Sequence, residues 1–231
     1  MLRTCTTLLL NTLTLIPYPS ALGGSLHLYL NSSGSATSLA DHVRALHKEG
    51  HVEEILDIFA AVPRPPQTTL CCVNPTPALL IHVKNGLVLQ GGETVLSIGS
   101  GSGLFEYLLQ SKLPNGKLVG VDVAPINLFL APSSFECIHP DEQVSARLGS
   151  ENVVALLSVY LRRPQLLQDY LHQFPKVSRI VLIGPRNEDP LLHKDVANFV
   201  AARGFTRTSV LVDMPLILAH WDMLQVLEKV E

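Results

Sequence analysis

One segment in the middle of the chain, residues 93–122, restricts the possible folds more than any other. An apolar run ending at Ile98 predicts a buried strand, and three glycines at alternate positions follow it directly. Residues Leu104–Leu109 then predict the start of a helix, and Lys117–Asp122 predicts a second strand that ends on a carboxylate. This order of strand, glycine turn, helix and strand is typical of nucleotide-binding α/β folds.

The residue types in this segment suit a bound nucleoside. Gly99, Gly101 and Gly103 let the backbone turn tightly and approach a ligand closely. The helix that follows offers backbone N–H groups that have no partner within the helix. Asp122 comes nineteen residues after Gly103, where a carboxylate can accept both hydroxyls of an adenosine ribose.

Several kinds of site contain a glycine turn of this sort. A phosphate-binding P-loop requires Gly-Lys-Ser/Thr at its end, which this segment lacks. A dinucleotide site expects a third glycine at the position that Leu104 occupies. The GxGxG spacing resembles motif I of the class I S-adenosylmethionine-dependent methyltransferases, and Asp122 matches the acidic residue at the end of their second strand. A turn that binds no ligand is the alternative.

The resemblance implies S-adenosyl-L-methionine as the cofactor and methyl transfer as the reaction. The cofactor contacts that it implies are Ser97, Gly99, Ser100, Gly101, Ser102, Gly103, Asp122, Val123, Asp141 and Ser158. The family usually has Asp or Glu where this chain has Ser97, two residues before the first glycine. The family also has a crossover helix after the second strand, whereas residues 124–133 contain two prolines that shorten or break it.

The rest of the chain continues to alternate predicted strands and helices. Strands are predicted at residues 134–138, 152–158, 179–183, 205–213 and 221–230, and helices at 164–171 and 189–203. This alternation predicts an α/β fold with a doubly wound, mostly parallel seven-stranded sheet. The resemblance, which spans residues 76–231, implies that the last two strands form a C-terminal antiparallel hairpin.

The chain divides into three predicted parts. Residues 76–231 form the methyltransferase-like domain, residues 38–75 a helical cover, and residues 1–37 an N-terminal extension. The Leu/Thr-rich stretch 6–16 is too short to span a bilayer, and a signal peptide, a mitochondrial presequence and a packed strand over 12–15 all stay open. The four cysteines follow no metal-binding spacing, so a reducing, cytoplasmic location is the default.

Capping and helix-breaking residues delimit the helices that precede the glycine turn. Ser38 predicts the start of a first helix and Gly50 its end, and a second helix follows. Thr76 caps a third helix, for which Asn85-Gly86 predicts the end. Residues 31–37 predict a flexible link before the first helix.

Methyl transfer needs an aligned acceptor and, for some acceptors, removal of a proton. Tyr160, after the fourth strand of the predicted sheet, and His139, after the third, are the candidate catalytic residues. The run His220-Trp221-Asp222 predicts the close of a hairpin, with the tryptophan packed and the aspartate solvated. The sequence itself does not define the acceptor, which is a small molecule or a protein.

Composition narrows the functions further. With 47% apolar and 16% charged residues the chain is not disordered, and a net charge of −3 gives no nucleic-acid signal. His47 and His51 have the helical spacing of a metal site, but Gly50 between them predicts a helix end, so no metal is expected. The alternatives to a methyltransferase are a catalytically inactive binding or scaffold protein and a nicotinamide-dependent oxidoreductase.

Overall fold

The computed structural model describes residues 28–30, 36–61, 68–139, 142, 144–145, 148–149 and 151–230. The stretch 6–16, with its predicted strand at 12–15, lies outside the described residues, and so does Asp141. Two short strands come first, β1 (Leu28–Leu30) and β2 (Ala36–Ser38), and they pair antiparallel. The end of the predicted flexible link is therefore a strand, which corrects that prediction.

The other elements form a single seven-stranded sheet with helices. The helices are α1 (Leu39–Glu49), α2 (Val52–Ala60), α3 (Pro77–Leu87), α4 (Leu104–Gln110), α5 (Leu166–Gln173) and α6 (Lys194–Ala202). The strands are β3 (Thr94–Ile98), β4 (Lys117–Asp122), β5 (Phe135–Cys137), β6 (Val153–Val159), β7 (Arg179–Pro185), β8 (Phe205–Leu211) and β9 (Asp222–Lys229). Their order is β5-β4-β3-β6-β7-β9-β8, parallel from β5 to β7, with β9 antiparallel to both neighbours. The predicted fold class is confirmed.

Alternation along the strands sends side chains into two cores, one on each face of the sheet. On β3, Val95 packs with residues of α1 to α4, whereas Leu96 and Ile98 pack with residues of α5 and α6. The chain leaves β3 towards β4 on one side and returns to β6 on the other. The ends of β3 and β6 therefore flank the crevice in which open α/β sheets bind ligands.

Capping residues lie where the sequence predicts them. Ser38 Oγ accepts the N–H of Asp41 at 3.1 Å, and Thr76 Oγ1 accepts the N–H of Leu79 at 3.2 Å. Gly50 ends α1 in the left-handed conformation, with φ +78°. Of the helices described, none has the length and apolar character needed to cross a membrane.

Two helix boundaries differ from the prediction. Helix α3 continues one residue past Gly86, which serves close packing rather than a helix end, because a Cβ there would lie 2.8 Å from Val226 Cγ2. Helix α6 begins at Lys194, five residues later than predicted. The side chain of Asp189 instead caps a separate 3₁₀ turn, so the predicted helix is divided.

The connection from β4 to β5 is a loop, as the two prolines in it predict. Residues 123–131 form no helix, and only a 3₁₀ turn at Pro132–Ser134 precedes β5. The N–H groups of Leu128 and Phe129 donate to the carbonyl of Ser102 at 2.8 and 3.2 Å. The loop therefore lies directly on the glycine turn.

Replacing Gly86 with alanine is expected to destabilise the protein, although alanine favours a helix by about 1 kcal/mol. The added Cβ would lie 2.8 Å from Val226 and 3.3 Å from Val181, so α3 must shift from the sheet. Overpacking of this kind costs about 1–3 kcal/mol, which urea unfolding measures. Gly91→Ala is the control, because its Cβ would meet nothing within 4 Å. A Gly86 variant as stable as this control would contradict the packing argument.

Candidate functional site

The glycine turn begins where β3 ends and is fixed to the neighbouring strand β4. The N–H groups of Gly99 and Ser100 both donate to the carbonyl of Val121, at 2.9 and 3.0 Å. Gly99, Gly101 and Gly103 have φ values of +74°, +56° and +81°, in the left-handed region that favours glycine. All three glycines are therefore needed for the turn itself.

Asp122, at the end of β4, contacts the turn directly. Its Oδ2 accepts the N–H of Gly101 at 2.9 Å, and its Oδ1 accepts the N–H of Ala124 at 3.0 Å. An ionised carboxylate has about four lone-pair positions, so these two bonds leave capacity for a ligand. The two sequence features that predict a nucleoside site, the turn and the strand-end acid, meet at one place.

Two of the three glycines face open space. A Cβ added at Gly99 or at Gly101 would meet no heavy atom within 4 Å. A Cβ at Gly103 would lie 2.7 Å from Asn127 Oδ1 and 2.9 Å from Leu130 Cγ. Gly103 therefore lets the β4–β5 loop pack on the turn, whereas Gly99 and Gly101 leave room for a ligand to approach the backbone.

The hydroxyls of three serines expected at the cofactor are committed elsewhere or buried. Ser102 donates its hydroxyl to the carbonyl of Leu70, and Ser158 donates to the carbonyl of Ile98 at 3.0 Å. The Ser100 hydroxyl is buried and has no hydrogen-bond partner among the described residues. Ser102 thus ties the segment before α3 to the turn, and Ser158 ties β6 to β3. The hydroxyl protons of Ser102 and Ser158 are therefore not available to a ligand.

Ser97 binds a carboxylate that the sequence analysis missed. The Ser97 hydroxyl donates to Glu106 Oε1 at 2.7 Å, and both side chains are buried, Glu106 being 2% exposed. Glu106 lies in the first turn of α4, and Ser97 points towards that helix because it shares the strand face of Val95. The acid is nine residues from Ser97 in sequence, so the only signal for it was its place at the start of the helix after the glycines.

Burial controls the charge of Glu106. Loss of solvation raises the pKa of Glu106 to about 7, and the nearby charge of Asp122 acts in the same direction, while the Ser97 hydrogen bond opposes it. Its second oxygen, Oε2, is buried without a hydrogen-bond partner among the described residues. Glu106 in turn helps to raise the pKa of the Cys71 thiol, which burial raises most.

Val123 and His139, two further residues expected at the site, follow β4 and the edge strand β5. Val123 follows Asp122 directly and is 47% exposed, and His139 is exposed just after β5. Strands β4 and β3 separate β5 from β6, so His139 and Tyr160 follow strands roughly 14 Å apart. The structure does not bring the two candidate catalytic residues together. Asp141 lies outside the described residues, so its contact with the cofactor stays a prediction.

Tyr160 and Asp222 form a hydrogen-bonded pair at the end of β6. The Tyr160 hydroxyl donates to Asp222 Oδ1 at 2.7 Å, and the Tyr160 backbone has φ +61°, a strained conformation for a bulky residue. Burial raises the pKa of Tyr160, with Asp222 adding to the effect, and burial also raises the pKa of Asp222. The expected exposures of the hairpin run are reversed, since Asp222 is 2% and Trp221 50% exposed. Asp222 is the first residue of β9 and pairs with Pro185 of β7, and its side chain meets the Tyr160 hydroxyl.

His47 and His51 have separate structural roles. The His47 ring packs edge-on against Tyr107 at 4.5 Å and Phe129 at 4.8 Å, and its Nε2 lies 3.0 Å from the Phe129 carbonyl oxygen. His51 Nδ1 lies 2.6 Å from Glu54 Oε1. Within the part of the chain that is described, no three His, Cys, Asp or Glu side chains gather as a metal site would require.

Comparisons with known proteins bear on the fold. No family model and no curated protein matches the sequence. The chain is similar to a solved structure from Listeria monocytogenes that is assigned to the class I S-adenosylmethionine-dependent methyltransferases, with a TM-score of 0.50, 11% identity, and coverage of 84% of this chain and 71% of that chain. The chain has the class I methyltransferase fold.

Two further solved structures are similar at lower scores. One is a precorrin-6y C5,15-methyltransferase from Geobacter metallireducens GS-15, with a TM-score of 0.49, 12% identity, and coverage of 72% of this chain and 94% of that chain. The other is a SAM-dependent methyltransferase from Aquifex aeolicus, with a TM-score of 0.47, 14% identity, and coverage of 78% and 98%. The chemistry of this chain must be argued from its own residues.

Changing Glu106 to glutamine is expected to stabilise the protein at pH 8 and to change little at pH 5. The pKa of Glu106 is higher in the folded than in the unfolded chain, so the stability present at low pH is lost as the pH rises through about 7. Glutamine does not ionise, and its carbonyl can still accept the Ser97 hydroxyl, so the gain at pH 8 is about 1–3 kcal/mol.

Urea unfolding at both pH values measures this change in stability. Asp57→Asn, at an exposed position on α2, is the matched control and should change little at either pH. An equal effect of Glu106→Gln at pH 5 and pH 8 would show that ionisation of this buried group does not set its contribution.

Proposed function

We propose that the chain binds S-adenosyl-L-methionine at the glycine turn and transfers its methyl group to an acceptor. The observation that carries the proposal is the hydrogen bond from the Gly101 N–H to Asp122, beside the open space at Gly99 and Gly101. This contact supplies a carboxylate for ribose hydroxyls next to a backbone that a ligand can approach closely. The cofactor, when bound, supplies a methyl group on a cationic sulfonium.

The residues around the turn fit the chemical groups of this cofactor. Asp122 keeps lone pairs for the ribose hydroxyls after its two backbone hydrogen bonds. Val123 and the exposed Ile126 supply apolar surface for the adenine, in the loop that replaces a crossover helix. Asp141 is proposed as a further adenine-side residue.

We assign to Glu106 the charge that the family resemblance expects at position 97. The Ser97 hydroxyl holds the Glu106 carboxyl at 2.7 Å, so an acidic group is present beside the turn although it comes from α4. A buried carboxylate with an unpartnered oxygen is costly unless a donor or a cation reaches it. The ammonium or sulfonium of the cofactor meets that requirement, and either would favour the ionised form of Glu106.

Calorimetry tests the proposal with three ligands, S-adenosylmethionine, its demethylated product and NAD. Binding of the first two supports the proposed cofactor. Binding of neither at millimolar concentration would favour the inactive binding or scaffold protein, in which the class I fold is kept without the cofactor. Binding of NAD alone would favour the oxidoreductase.

Gly101→Ala is expected to abolish binding of S-adenosylmethionine while the protein stays folded. The alanine Cβ enters the open space that the proposal assigns to the ligand, and its positive φ costs about 1 kcal/mol. Gly50→Ala is a matched control, because Gly50 also has a positive φ and no neighbour within 4 Å but ends α1. The two variants should lose similar stability in urea unfolding, and only Gly101→Ala should lose affinity in calorimetry. Equal affinity of the two variants for S-adenosylmethionine would show that the ligand does not bind at the glycine turn.

Asp122→Ala is expected to weaken binding of S-adenosylmethionine by about 1–3 kcal/mol, through loss of charge-assisted hydrogen bonds. Because Asp122 also fixes the Gly101 N–H, adenosine and 3′-deoxyadenosine are compared in parent and variant. A direct ribose contact predicts that the parent prefers adenosine and that the variant loses this preference. A variant that keeps the preference would contradict a direct ribose contact and would show that Asp122 acts only by binding the Gly101 N–H.

A further inference from the structure

Apart from the open space at the glycine turn, a cavity lies at the same end of the sheet, where the parallel strands have their carboxyl ends. Its volume is ≈ 210 Å³, and the residues that matter here are Cys72, Asn74, Tyr160, Ile217, Trp221 and Asp222. We call it the Trp221 cavity. Because Asp222 of β9 pairs with Pro185 at the end of β7, the cavity opens at the carboxyl ends of the parallel strands. Its volume is below the roughly 300 Å³ at which pockets for drug-sized ligands begin, so it suits a small molecule or one side chain.

The polar groups of the Trp221 cavity centre on one buried acid. Asp222 Oδ1 accepts the Tyr160 hydroxyl at 2.7 Å, and the side chains of Tyr160 and Trp221 line the same cavity. The proton of the Tyr160 hydroxyl is thus committed to Asp222. A carboxylate has about four lone-pair positions, so Asp222, which lines the cavity, keeps acceptor capacity beyond its bond to Tyr160.

The charges around Asp222 leave its carboxylate without a cationic side-chain partner in the cavity lining. No lysine or arginine is among the described residues that line the cavity. Arg186 contacts the Asp222 backbone carbonyl at 3.5 Å and pairs with Asp213. Tyr160, Cys72 and His220 interact electrostatically with Asp222, and the positive charge of Arg162, which is not among the lining residues, acts on Cys72. A ligand that brings hydrogen-bond donors or positive charge is therefore favoured, and a carboxylate ligand is repelled.

Trp221 adds a surface for the same kind of ligand. Its indole is half exposed although it lines the cavity, and the His220 ring packs edge-on against it at 4.5 Å. An aromatic face attracts an ammonium group within about 6 Å of the ring, and tryptophan is the strongest of the aromatic residues in this respect. The buried carboxylate and the exposed indole both select a cationic donor.

We propose that the Trp221 cavity binds a small amine, with its N–H groups donated to Asp222 Oδ2. On the proposed function, on which this role rests, the amine is the methyl acceptor. An ammonium nitrogen has no lone pair, so one proton must leave before it can act as a nucleophile. Asp222 Oδ2 takes that proton, the nitrogen keeps the electron pair, and the carboxylate becomes a carboxyl. With the cofactor bound, that electron pair would form the bond to the methyl carbon as the carbon–sulfur bond breaks, and the sulfur would leave as a neutral thioether. Burial of Asp222 favours this protonated form.

The intrinsic fluorescence of the protein can follow binding in this cavity, because Trp221 is the one tryptophan in the chain. The protein is titrated with benzylamine, benzyl alcohol and benzoate, which share a ring and differ in charge, and indole fluorescence is followed. Benzylamine is expected to bind about tenfold more tightly than benzoate, with benzyl alcohol between them. This comparison uses the unchanged protein and needs no variant to fold.

Asp222→Asn should remove the preference for benzylamine over benzoate. Asp213→Asn is the matched control, because Asp213 is an exposed acid that lies before β9 and binds Arg186 outside the cavity lining. Benzoate binding as tightly as benzylamine in the unchanged protein would overturn the proposal, and so would no response to any of the three ligands. An Asp222→Asn variant that keeps the preference would also overturn it.

The outcome is separable from that of the cofactor proposal. Calorimetry with S-adenosylmethionine reports on the glycine turn, and fluorescence with benzylamine reports on the Trp221 cavity. Benzylamine binding without cofactor binding would retain the amine site and reject methyl transfer. Cofactor binding without amine selectivity would retain the proposed function and reject this acceptor.

Discussion

The hydrogen bond between the Gly101 N–H and Asp122 is the contact on which the candidate site depends. It joins the turn after β3 to the end of β4, and the Val121 carbonyl holds the same turn through two more N–H groups. The glycines can adopt their positive φ values without Cβ strain, and the carboxylate fixes the direction of the turn. The open space at Gly99 and Gly101 exists because these two constraints act together.

The parts of this arrangement that follow from local pattern were predictable. Glycine spacing, capping at Ser38 and Thr76, and the apolar strand runs depend on residues close in sequence, and they led to the correct sheet and turn. Helix boundaries were less predictable where tertiary contacts decide them. Gly86 lies inside α3 because the sheet packs against it, which its neighbours in the sequence do not indicate.

The missed residues are those whose role arises from contacts between distant elements. At position 97 the sequence has serine where the family usually has an acid. The Glu106 carboxyl nevertheless lies next to Ser97, because one face of β3 packs against α4. Likewise, the exposures of Trp221 and Asp222 follow from the register of β9 against β7. The run His220–Asp222 alone does not determine that register. In both cases a polar residue finds its partner only after the sheet and its helices have assembled.

The position of β9 also sets an order of assembly. This strand follows β8 in the chain but lies between β7 and β8 in the sheet. Strand β8 is synthesised before β9, the strand with which it pairs. The strands up to β7 can therefore associate before β8 has a partner. Strand β8 pairs only with β9, so it joins the sheet once β9 has paired with β7, and without β9 the edge of β7 has unpaired backbone groups.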